Sequence, residues 1–403
     1  MKEKLRTALL LLFIFLLPTQ LGKHFFLSFS FVHGVRIDYL APTLYVVDLV
    51  VLVLTFCISS RYKKHVVRNK IILLMFAVLC SINIVLAPVP LMGIYTVARF
   101  VEVYIVYVIV AHERGRLALP IIAMLTAGAL LQAILATLQF VQKGSLQGFF
   151  YYFGERFFTI STPGISTTSL NGTELLRPYG TFSHPNSLGG FFVVLYALSL
   201  GFLLHKKGSR IRIACSMLAA ISAFLVFFSF SKAAIGALLC TTIVHGLLQF
   251  INHRAKHKKI CWQCVVSRIL IPFVLALVFL QAKGDVYSTT KRITLIEQAM
   301  ILFGQYPFFG TGFGNNLYYQ ATFPSKFAEF FFATNSQYFF CFLWCKRGFF
   351  ITSVAGWVAV QESSKKRLLI IVAVGVTGLF DHYWLTLVQN MLVLGVVLGL
   401  QEK

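Results

Sequence analysis

The chain has 403 residues, 58% of them hydrophobic, 15% aromatic and only 12% charged, with a mean hydropathy of +0.79. Soluble domains carry about 25% charged residues, so this chain could not cover its surface in water, and its aromatic content excludes disorder. In such a chain the net charge of +23 is a matter of where cations lie relative to a bilayer, not a sign of nucleic-acid binding.

Twelve apolar runs are long enough, at about 20 residues with slack for tilt, to cross a hydrocarbon core. They fall at 7–21, 41–58, 71–87, 91–111, 117–141, 186–204, 213–230, 233–250, 268–282, 336–360, 368–384 and 386–400. The first follows Lys2, Lys4 and Arg6, and no small-x-small cleavage site comes after it, so it reads as a span and not as a signal peptide. With the N-terminus in the cytoplasm, the inner segments hold 23 of the 36 Lys and Arg. The longer outer segments hold 10, and Arg99, Lys346 and Arg347 lie in spans. That asymmetry obeys the positive-inside rule. The expected fold is all-α: one polytopic transmembrane bundle over 1–403, about 12 spans, with long outer loops at 142–185 and 283–335. The first loop is rich in Thr, Ser and Gly. The second has an amphipathic helical stretch from Ile293 to Phe303.

Charges inside spans are costly unless paired. Arg99 and Glu102 share one helical face, which suits an internal ion pair or a substrate contact. Asp48 reads as a packing partner for a neighbouring helix. Asp381-His382-Tyr383 interrupts the last two runs. It is either a carboxylate–imidazole unit or an interfacial cap with Tyr383 and Trp384 in the aromatic belt. His253, His257, Cys261 and Cys264 have spacing that zinc could use, but a basic loop produces it without metal, and no metal is expected.

Outer cations need a reason under the positive-inside rule. Arg177 leads through Pro185 and Asn186 into the sixth run, a plausible helix start whose amides could approach an anion. Lys232 occupies a very short outer turn, and Lys291 and Arg292 open the amphipathic stretch. Each could anchor lipid headgroups. Converging at one face, they would suit a pyrophosphate.

Three segments, RPYGTFSHPNSLGGF, SFSKAAIGALL and YPFFGTGFGNN, taken in this order with the ends LLPTQLGKHFF and GLFDHYWLTLVQNML, resemble the O-antigen ligase and O-antigen polymerase superfamily. The resemblance covers nearly the whole chain. It implies a GT-C-like, metal- and cofactor-independent glycosyltransferase of the bacterial inner membrane, with its active site facing the periplasm. Such an enzyme moves a glycan from a polyprenyl pyrophosphate carrier to an acceptor hydroxyl, lipid A–core in the ligases and another carrier-linked repeat in the polymerases. The ends of the chain look more like the ligases. A non-catalytic transporter or flippase of carrier-linked glycans is the alternative from another class.

Carried over residue by residue, the resemblance puts Arg177 and Arg292 on the pyrophosphate, with Lys232 as a single-point contact. It departs from the family at the end of the second loop. Thr334 stands where a His is usual, before Asn335, and Cys345 stands at a usual Gly. Thr cannot act as a base near neutral pH, so either His184 or His382 serves or the copy is impaired. A frameshifted segment would also explain this stretch.

Overall fold

The structure, a computed structural model, describes residues 2–32, 34–57, 70–205, 208–254, 270–282, 297–307, 310–315, 318–319 and 365–402. It is mostly helical and of membrane type. The helices are α1 (Lys2–Leu16), α2 (Val46–Phe56), α3 (Lys70–Val85), α4 (Pro90–Gln142), α5 (Pro185–His205), α6 (Ser209–Phe228), α7 (Lys232–Arg254), α8 (Ile271–Leu280), α9 (297–305), α10 (Lys365–Gly378), α11 (Tyr383–Thr386) and α12 (Val388–Gln401). Among the described residues, four (α4 to α7) are long and apolar enough to cross a membrane. Outward-facing apolar side chains such as Phe56 (82% exposed) and Val85 (77%) would be costly in water and suit hydrocarbon. The run at 336–360 lies outside the described residues.

The centre of the bundle is α5, apolar around its whole circumference and buried from Leu188 through Leu198, as a helix without a polar face must be. Around it pack α6, α7, α10 and α12.

The long helix α4 departs from the sequence reading, which breaks it into two spans at an inner loop over 112–116. Its backbone stays helical through that loop, yet its halves run antiparallel. A straight helix would separate Val103 from Gln132 by about 43 Å. Here Gln132 and Gln389 both donate to the Pro18 carbonyl, at 3.4 and 2.8 Å, and Gly395, on the same helix as Gln389, packs on the Val103 backbone. The chain reverses near Glu113, which takes Arg6 at 2.8 Å and Arg116 at 3.0 Å, while Arg116 also reaches Glu3. The stretch before Pro120 lacks a strong helix breaker. Pro120 removes an N–H one turn past the charged residues and weakens the ladder there.

The bundle thus has two distinct ends. The basic end gathers the start of α1, the α4 reversal and the Arg367–Glu402 pair at 3.3 Å. The opposite end carries the long loop over 142–185, which is folded. Its hairpin pairs Thr167–Leu170 with Thr173–Leu176. Asn171 and Gly172 turn it with φ of 51° and 81°, the left-handed pair that a two-residue hairpin needs. Two further antiparallel strand pairs lie over 22–45, where Gly22–His24 pairs with Thr43–Tyr45 and, between them in sequence, Phe31–Val32 forms a hairpin with Val35–Arg36.

Tyr383 and Trp384 also differ from the aromatic-belt reading. Both are buried, 3% and 2% exposed. The Trp384 indole N–H donates to Thr377 Oγ1 at 2.9 Å, and the Tyr383 ring fills the space left by Gly190 on α5.

Candidate functional site

The loop over 142–185 is fixed by two side chains. Glu155 accepts from the Leu146 and Gln147 amides at 2.9 and 2.6 Å and from Gln139 Nε2 at 2.8 Å. Gln139 also accepts from the Tyr179 and Gly180 amides at 3.1 and 2.8 Å and donates to the Gly180 carbonyl at 2.9 Å. The segment leading into α5 is therefore held rigidly on α4. Gly180 is required there, because its φ is +58° and a Cβ would collide with Gln132 Oε1.

Rigid placement brings three distant segments together. Arg177 Nε donates to the Ser229 carbonyl at 3.1 Å, in the turn before Lys232, and Arg177 Nη2 donates to Asn186 Oδ1 at 2.6 Å. Asn186 Nδ2 donates in turn to the buried Asp381 carboxylate at 3.2 Å. Lys232 is exposed and opens α7. The N-termini of α5 and α7 both lie at this end, so two positive helix ends flank Arg177.

His184 and His382 occupy different settings. His184 Nδ1 accepts the Asn186 amide N–H at 3.1 Å and its Nε2 is 2.9 Å from Ser166 Oγ. The ring therefore caps the start of α5 in the Nε2–H tautomer. Asp381 and His382, read from the sequence as a possible unit, have different partners: Asp381 meets Asn186, and His382 Nδ1 meets Thr386 Oγ1 at 2.6 Å.

Beside this cluster opens a cavity of about 440 Å³, walled by Tyr39, Arg99, Glu155, Arg156, Ser183 and His382 among others. Tyr39 stands edge-on to His382, ring centroids 5.9 Å apart. Burial pushes the Tyr39 phenol up, opposed by the nearby Arg156 guanidinium, so it stays protonated near neutral pH. Arg156 is exposed and lies 5.6 Å over the Tyr179 ring. Arg99 is different. Its terminal N–H groups go to Asp48 (2.7 and 2.8 Å), Glu102 (2.7 Å), the Thr43 carbonyl (2.5 Å) and Tyr95 Oη (3.1 Å). A guanidinium so committed ties α4 to the start of α2 and is spent on packing. The neighbouring-helix partner of Asp48 is Arg99.

Lys291, Arg292, Thr334 and Asn335 lie outside the described residues, as do His257, Cys261 and Cys264. Among the described residues no three His, Cys, Asp or Glu side chains are grouped to hold a metal ion. Sequence reasoning missed Tyr39, Glu155, Arg156 and Gln139. Glu155 and Arg156 are the only charges between Lys143 and Glu174, and Gln139 is an amide in an apolar run. Both were readable signals. No protein-family model, curated protein or solved structure matches the chain.

Proposed function

We propose that the chain is a polytopic, outer-face glycosyltransferase that moves a glycan from a polyprenyl pyrophosphate carrier to an acceptor hydroxyl, as in O-antigen ligases. One observation carries this reading: residues 177–186, 229–232 and 381–382, far apart in sequence, form one cluster beside a cavity at the end of the bundle away from the Glu113 turn and the Arg367–Glu402 pair.

The chemistry follows from charge. Breaking the sugar–pyrophosphate bond leaves negative charge on the diphosphate. A guanidinium fixed in advance stabilises that charge without reorganising as it develops. Ser229 and Asn186 fix Arg177, the two helix N-termini add their dipoles, and Lys232 and Arg156 supply further positive charge nearby. Arg292 joins this set in the family-like reading. The acceptor glycan enters the cavity, where Tyr39 and Tyr151 offer ring faces for sugars. A transporter would need its polar site near mid-bundle. The charged cluster of Asp48, Arg99 and Glu102 lies at the cavity end, beside Thr43, which favours the transferase.

The test is turnover by Arg177 variants in membranes supplied with a polyprenyl-pyrophosphate glycan and lipid A–core. Arg177→Ala lowers turnover about 10²–10³-fold, the usual cost of one preplaced donor, while carrier lipid still binds. Arg177→Lys keeps part of the rate, because a point charge replaces the fork. Equal turnover in all three proteins would reject the assignment.

A further inference from the structure

We infer that Gln147 is a specificity-determining contact for the acceptor, its side-chain amide donating to an oxygen of the acceptor sugar; the inference rests on the transferase reading above. Gln147 carries two costs that no contact among the described residues offsets.

The first cost is in the backbone. Gln147 has φ of 61° and ψ of −146°, a region that glycine enters freely and a residue with a Cβ enters only under strain. The hydrogen bonds that hold it there use main-chain atoms of Gln147. Its amide N–H donates to Glu155 Oε2 at 2.6 Å, and its carbonyl accepts from the Phe150 amide at 3.1 Å. A glycine would make the same two bonds without strain. The backbone alone therefore gives no reason for a glutamine at 147.

The second cost is in the side chain. Gln147 Nε2 is shielded from solvent and has no hydrogen-bond partner among the described residues. A buried donor left unpaired is destabilising, and in native proteins it calls for an explanation. Gln147 is part of the wall of the 440 Å³ cavity, so a molecule bound there can supply the missing acceptor atom.

The neighbours indicate what kind of molecule. Tyr151, in the 3₁₀ turn that begins after Gln147, belongs to the same wall and is 54% exposed. A ring face near a fixed amide suits a sugar, whose C–H face packs on the ring while its oxygens meet the polar group. Arg177, Asn186, Ser229 and Lys232, to which the carrier's pyrophosphate is assigned, stand outside the cavity wall. The cavity is thereby left to the acceptor.

The experiment measures kcat, the KM for each substrate and the melting temperature for the native chain, Gln147→Leu and Gln147→Gly. Turnover is recorded in proteoliposomes with a labelled polyprenyl-pyrophosphate glycan and lipid A–core, and melting in detergent. Leucine keeps the side-chain bulk and the strained backbone but removes the donor. Both variants raise the KM for lipid A–core about 2- to 10-fold, the contribution of one neutral hydrogen bond. The carrier KM stays at its native value and kcat changes little, as expected when a binding contact is lost. Gln147→Gly also melts above the native chain, because the strain and the unpaired donor are both removed. A native KM for lipid A–core in either variant overturns the inference and leaves the transferase reading intact. An equal rise in both KM values does the same, and so does a Gln147→Gly protein that melts below the native chain. If Gln147→Leu fails to fold, Gln147→Gly decides alone. Absence of transfer by the native chain defeats the transferase reading itself, and the inference with it.

Discussion

The guanidinium of Arg177 and the carboxylate of Asp381 are joined through one side-chain amide, that of Asn186, which accepts from Arg177 at 2.6 Å and donates to Asp381 at 3.2 Å. An amide with its oxygen on a cation and its nitrogen on an anion cannot flip without losing both bonds. Asn186 thus sets the direction of Arg177 from the first turn of α5.

Asn186→Ala and Asp381→Asn should therefore lower turnover without abolishing carrier binding. Hydrogen bonds to charged groups contribute about 1.5–3 kcal/mol, which corresponds to roughly tenfold to a hundredfold. Steady-state kinetics on both variants would check this, with a fall in kcat larger than any rise in KM for the carrier.

Arg99→Met should be the most destabilising single change at the cavity. It leaves Asp48 and Glu102 buried with no counter-charge, a loss of about 3–5 kcal/mol. Thermal unfolding in detergent should show it. Adding Asp48→Asn and Glu102→Gln should recover part of the loss, because the uncompensated charge is then gone.

Gly180→Ala strains the segment that leads into α5. The residue has φ of +58° and its Cβ would meet Gln132, a combination costing about 1–3 kcal/mol. Gln139→Ala should match or exceed it, since the Tyr179 and Gly180 amides and the Glu155 carboxylate lose partners together. Melting temperatures of the two variants against the native chain measure both effects.

Gly190→Ala should disturb the site from a distance. A Cβ at 190 collides with the Tyr383 ring, and Tyr383 directly follows His382. The expected outcome is a folded protein with reduced turnover. Unchanged turnover would mean that the 381–383 turn absorbs the displacement.

Much of this was legible in the sequence. Pro185 and Asn186 announce the start of α5, and Arg6, Arg116 and Arg367, which the sequence reading assigns to inner segments, lie at the end of the bundle away from the cavity. Arg99, Glu102 and Asp48 stand out as charges in apolar runs, and the structure shows that they pair with one another. Contacts set by tertiary structure were not legible. Asp381 and His382 look like a unit because they are adjacent, but successive side chains in a tight turn diverge and find separate partners. Tyr383 and Trp384 look interfacial by position, yet a glycine on a neighbouring helix admits the tyrosine to the core. The reversal of α4 was legible, because charged residues at 112–116 separate two apolar runs, but the helical backbone through that turn was not. The hairpin over 167–176 was readable from its Asn-Gly turn, a signal that the surrounding Thr, Ser and Gly masked.

The most direct measurement follows a labelled glycan on polyprenyl pyrophosphate in proteoliposomes that contain the native chain and lipid A–core. The account predicts that label moves to the lipid A–core acceptor and unloaded polyprenyl pyrophosphate accumulates in step. Label that crosses the bilayer still bonded to its carrier, with none on the acceptor, would contradict it.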